Sequence, residues 1–201
     1  MRRRDTDWLH VAVHVGALAP LAALGWMAWQ GRLGPAPVGA VIRLLGRYAL
    51  VFLLLSLVPT VVRTVTGFDA VVRVRRTLGL YAFAYAALHF LAFGGLDYGF
   101  DVRLLAQVIG ESRREIAGLA ALVILGLLAL TSTRGWMARL GKWWKRLHRL
   151  TYAAGALVVV HYAWNYKVLR TWPVAAGVTL GLLVAARLPF VEQLLSRLRR
   201  R

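Results

Sequence analysis

The chain has 201 residues, 59% of them hydrophobic, and a formal net charge of +18. The apolar residues gather in blocks close to the ~20 residues that a helix needs to cross a bilayer, and the basic residues stand between those blocks, which excludes a nucleic-acid-binding face. The absence of cysteine excludes disulfides, iron–sulfur clusters and thiolate zinc sites.

Six apolar blocks predict an all-α, polytopic membrane protein, because open sheet edges are not permitted in lipid. The first predicted span covers 8–29, contains His10 and His14, and reads as a retained helix, with no small-residue cleavage pattern after it. The second covers 44–62, with Pro59 near its end, where a lost backbone bond matters least. The third covers 77–93; Arg75 and Arg76 precede it and His89 lies within it. Gly94 to Glu115 reads as an outer loop. The fourth span, 116–130, is short, like the second, and relies on flanking residues or a thinned bilayer. Thr131 to Arg146 reads as an inner loop. It ends in Lys142-Trp143-Trp144-Lys145-Arg146, by default an interfacial belt and otherwise a docking place for an anionic group such as haem propionate, flavin phosphate or lipid. The fifth span, 147–164, carries His148 and His161; the sixth covers 172–190 and holds Pro189. No internal repeat stands out.

Lys and Arg are more than twice as frequent on the side that carries the two termini, Arg63, Arg73, Arg75, Arg76 and the 131–146 loop. The positive-inside rule therefore places both termini in the cytoplasm. Asp97, Asp101, Glu111 and Glu115 fall on the other side.

The histidines carry the chemistry, since ionisable side chains inside spans are costly. His89 lies about 12 residues into the third span and His161 about 14 residues into the fifth, which puts both at similar depth in the outer half of the bilayer. Two neutral imidazoles at matched depth suit the two axial positions of one haem iron. Zinc would want four ligands, and no acid or cysteine lies at that depth. His148 stands roughly 20 Å nearer the cytoplasmic face, rotated by some 140° from His161 on a straight helix. Its partner on the third span would fall at Arg75 or Arg76. Arginine stays protonated, so these residues are expected to hold a haem propionate. His14 is another partner for His148, and a second haem stays open. His10 reads as an interfacial anchor.

The run Arg75-Arg76-Thr77-Leu78-Gly79-Leu80-Tyr81 leading to Leu88-His89, and the run Trp143-Trp144-Lys145-Arg146-Leu147-His148-Arg149-Leu150-Thr151-Tyr152 leading to His161-Tyr162, are similar to the ferric-reductase-like transmembrane family. Within it they resemble the haem-binding membrane subunits of bacterial periplasmic methionine-sulfoxide reductase systems. The resemblance covers nearly the whole chain as one transmembrane domain, 1–201. It implies b-type haem between the helices, with His89, His148 and His161 as ligands, and flavin mononucleotide (FMN). It also implies a place in the bacterial inner membrane. Electrons would pass from the quinone pool or a cytoplasmic flavin reductase to a periplasmic molybdopterin subunit that reduces protein methionine sulfoxide. No motif here defines the flavin site. No Gly-rich nucleotide fingerprint follows the sixth span, so a separate electron donor is expected.

Two other readings compete. One is a stand-alone ferric-chelate or quinol-linked transmembrane reductase. The other is a transporter or assembly factor without cofactor, against which stands the absence of broken helices and paired intramembrane acids.

Overall fold

The computed structural model describes residues 4–165, 171–191 and 193. Arg2, Arg3, Lys167, Arg170, Arg197, Arg199, Arg200 and Arg201, which entered the charge count, lie outside the described residues. Among the described residues every regular element is helical. This is what lipid demands of a backbone that must satisfy its own polar groups. The chain divides into two compact units, the first ending at Phe100 and the second beginning at Asp101.

The first unit holds α1 (Arg4–Trp29), α2 (Pro37–Thr66), a 3-10 stretch (Asp69–Val74), α3 (Arg75–Ala92) and a π turn (Phe93–Asp97). Pro37 opens α2, where its missing N–H costs nothing. Gly67 closes it in the left-handed conformation (φ 74°), its N–H donating to the Arg63 carbonyl at 2.8 Å. Pro59 lies inside α2, not near its end, and is itself buried. The helix runs on to Thr66 because the Gly67 cap, and not the proline, stops it.

Leu45, Ala49, Leu53 and Leu57 recur every fourth residue on α2 and bury against Leu78, Ala82 and Tyr85 of α3. Tyr85 is only 1% exposed. Its ring stacks on Phe52 at 5.2 Å, and its hydroxyl donates to the Ala17 carbonyl of α1 at 2.6 Å. That bond pins α1, whose Val11, Val15 and Leu18 otherwise face outward, as lipid-facing residues should.

The second unit contains α4 (Val102–Glu111), α5 (Arg113–Leu130), α6 (Arg134–Leu140), α7 (Lys142–Leu147), α8 (Leu150–Ala163) and α9 (Thr171–Ala185). The two segments read from sequence as loops therefore carry helices. Asp101 caps α4 by accepting from the N–H groups of Arg103 (2.9 Å) and Leu104 (3.1 Å). Thr133 caps α6 in the same way through Trp136 N–H at 3.3 Å. Ala117, Ala121, Leu125 and Leu128 of α5 bury against α8, where Ala154 and Gly155 keep the backbones close. A Cβ on Gly155 would stand 3.1 Å from Leu180 of α9, so the same small residue seats a third helix.

Among the described residues, three stretches, Trp8–Trp29, Pro37–Thr66 and Asp69–Asp97, are long and apolar enough to cross a membrane. A fourth is reached if α5 and α6, bent by 94°, count as one span. Six spans were expected. The shortfall lies in α8 and α9, which have 14 and 15 residues and reach only about 21–23 Å at 1.5 Å per residue.

The helix pairs α2–α3 and α5–α8 repeat one register. Leu45 and Ala117, Ala49 and Ala121, Leu53 and Leu125, Ser56 and Leu128, and Ala82 and Ala154 are all buried and share one constant offset along the chain. The repeat escapes a reading of letters because only three of these five pairs are identical residues.

Replacing Tyr85 by Phe keeps the packed ring and deletes the tie to α1. It should cost about 1 kcal/mol. Thermal unfolding in detergent reads that loss, together with easier proteolysis around α1.

Candidate functional site

His89 follows Tyr85 by one turn on α3 and is half-buried. Its Nδ1 lies 2.9 Å from the carbonyl oxygen of Ile42 on α2. A carbonyl only accepts, so Nδ1 carries the proton and Nε2 the in-plane lone pair. The Ile42 oxygen has a second lone pair to give, beyond the one used in its own helix. The imidazole reaches it because position 46 is glycine: a Cβ there would stand 3.0 Å from Nδ1 and 3.1 Å from Cε1.

His161 on α8 repeats this in the second unit. Its Nδ1 donates to the carbonyl of Arg114 on α5 at 2.8 Å. A Cβ on Gly118 would lie 2.7 Å from Nδ1 and 2.8 Å from Cε1. Both bonds span 47 residues, and in both the glycine stands one turn after the accepting carbonyl. The Arg114 side chain adds a brace, donating to Asn165 at 2.9 Å and to the adjacent Glu115. Two imidazoles thus present the same tautomer, each fixed by a neighbouring backbone.

His148 is held differently. It sits in the turn between α7 and α8, and its ring stacks on Trp144 at 4.0 Å. Nδ1 lies 3.2 Å from the Trp144 carbonyl and Nε2 3.4 Å from the Ser132 hydroxyl. Trp144 is itself anchored through Nε1 to the Thr131 carbonyl at 2.9 Å. His148 and His161 lie at opposite ends of α8.

Arg75 and Arg76 open α3, the end away from His89. Arg75 is half-buried and donates to Thr60 Oγ1 at 3.4 Å, whereas Arg76 is exposed. Thr60 and Ser132 share the offset that relates the two helix pairs, so a hydroxyl recurs at this end of both. The basic belt keeps an interfacial form, with Arg146 over the Trp143 ring at 4.5 Å. His10 is half-buried near the start of α1, and His14, exposed, pairs with the Tyr81 hydroxyl at 2.7 Å.

Sequence reasoning missed Gly46, Gly118 and the two carbonyls. The available signal was the identical spacing from Gly46 to His89 and from Gly118 to His161. The chemistry of both sites fits a haem ligand, since each turns Nδ1 of an imidazole to a backbone carbonyl and seats the ring on a glycine.

Residues 45–159 match the family described as ferric reductase like transmembrane component. A protein-methionine-sulfoxide reductase heme-binding subunit MsrQ from Xanthomonas euvesicatoria pv. vesicatoria is 44% identical over 162 residues, covering 77% of this chain and 74% of the relative. The protein of the same name from Rhodospirillum rubrum is 43% identical over 187 residues, covering 92% of this chain and 90% of the relative. No solved structure gives a significant match.

A methyl at either glycine must push an imidazole off its carbonyl. Gly118→Ala and Gly46→Ala should each cost about 1–3 kcal/mol, the first more because its contact is tighter. Gly79→Ala, whose Cβ meets nothing within 4 Å, should be neutral or slightly stabilising. Parallel thermal melts of the three variants check the order.

Proposed function

The chain belongs to the ferric-reductase-like transmembrane family, and on that premise we propose that it is the haem b-binding, electron-transfer membrane subunit of a methionine-sulfoxide reductase system. The observation that supports this best is the pair of like imidazoles, each with Nδ1–H given to a helix carbonyl and each seated on a glycine. Haem, when bound, supplies one-electron redox chemistry. The chain's own residues do the rest. His89 and His161 would each hold haem iron through Nε2. The carbonyls of Ile42 and Arg114 orient those rings and make the ligating nitrogens more basic. Arg75 and Arg76 would hold propionates through paired hydrogen bonds. His148 is the ligand for a second haem, provided that Nε2 gives up Ser132.

FMN is the further cofactor in this reading, with no residue assigned to it. Electrons come from the quinone pool or a cytoplasmic flavin reductase. They leave to a periplasmic molybdopterin subunit, which carries out the reduction of protein methionine sulfoxide. The chain works in the bacterial inner membrane as one domain with six spans and both termini cytoplasmic, since its basic residues favour that side.

The reduced-minus-oxidised visible spectrum of the detergent-purified full chain tests this reading. Wild type should show sharp low-spin b-type bands, and His89→Ala and His161→Ala should each lose them. Wild type without haem, or full bands in both variants, would overturn the assignment.

A further inference from the structure

On the outer surface of the first unit, His14 and Tyr81 form a polar pair apart from His89 and its carbonyl. His14 Nδ1 lies 2.7 Å from the Tyr81 hydroxyl, and the rings meet edge to face at 5.6 Å. Both residues lie within stretches long and apolar enough to span, Trp8–Trp29 and Asp69–Asp97. His14 is exposed, in company with outward-facing Val11, Val15 and Leu18. Neither His14 nor Tyr81 has a second hydrogen-bond partner among the described residues. A polar nitrogen facing hydrocarbon without a partner is costly, and in a spanning helix it marks a site.

The occupant must arrive through lipid, so it has an apolar body and a polar oxygen. The pair itself narrows the choice. When Tyr81 donates to Nδ1, His14 shows an N–H at Nε2; when Nδ1 donates to Tyr81, it shows a lone pair there. One arrangement meets a carbonyl oxygen and the other meets a hydroxyl. Quinone and quinol are one molecule that presents these two groups in its two redox states, whereas a lipid ester only accepts. Aromatic rings then lead inward from Tyr81 to Phe52 (6.0 Å) and on to Tyr85 (5.2 Å), one turn before His89.

We propose that the His14–Tyr81 pair binds the ring oxygen of a lipid-soluble quinol or quinone. This deepens the electron-transfer reading, on which its purpose rests, by giving one of its two electron donors a place on the chain.

The test uses the full chain in lipid nanodiscs with tritiated decylubiquinone, excess unlabelled quinone defining displaceable binding. Wild type should show one saturable site. Tyr81→Phe, which keeps the ring on Phe52, and His14→Leu should each weaken it by about tenfold or more, the loss of one hydrogen bond. In haem-loaded protein, reduction by decylubiquinol should slow in both variants, while dithionite still gives the full reduced spectrum. No displaceable binding in wild type, or equal affinity in all three proteins, would overturn the site. A wild type that binds quinone but holds no haem would instead overturn the electron-transfer reading and leave the site standing.

Discussion

The hydrogen bond from an imidazole Nδ1 to a helix carbonyl beside a glycine is the interaction on which the rest of this molecule turns. A histidine inside a lipid-facing helix pair has two nitrogens to satisfy and little water to do it with. Giving Nδ1–H to Ile42 or Arg114 settles one of them and decides the tautomer of the other. The carbonyl loses nothing, because its second lone pair was idle. The glycine makes the bond possible: with Cβ positions only 2.7–3.0 Å from the ring nitrogen, any larger residue at 46 or 118 would hold helix and imidazole apart.

Packing follows from that approach. On α2 the buried stripe Leu45, Ala49, Leu53 continues the face that Gly46 begins, and on α5 Ala117, Ala121 and Leu125 do the same beside Gly118. Ala82 and Ala154, both fully buried, keep the facing helices close. The offset that relates the buried layers also relates the histidines, the glycines, the carbonyls and the hydroxyls of Thr60 and Ser132. The two units therefore solve one problem twice. They part company at the far end, where Thr60 takes an arginine and Ser132 a histidine.

Much of this is legible in the sequence. Apolar blocks of spanning length announce helices, and His89 and His161 stand out because ionisable groups are rare inside them. Helix ends are less legible. Hydropathy alone places Pro59 near the end of the second span, whereas α2 runs on to the left-handed Gly67, and it leaves α4, α6 and α7 in loops because helices of 10, 7 and 6 residues are too short to register as spans. The repeat is illegible letter by letter, since leucine against alanine and serine against leucine fill equivalent buried places. Tyr85 shows why packing must be seen: one of several tyrosines in sequence, it is the buried residue that ties three helices together.

The central claim, that two histidines are fixed as Nδ1–H tautomers, is tested most directly by nitrogen NMR of the haem-free full chain with 15N-labelled histidine. His89 and His161, assigned by single replacement, should each show a protonated Nδ1 and an unprotonated Nε2 at neutral pH. Gly118→Ala should disturb the His161 signals alone. A protonated Nε2 with a bare Nδ1 at both residues would contradict the account.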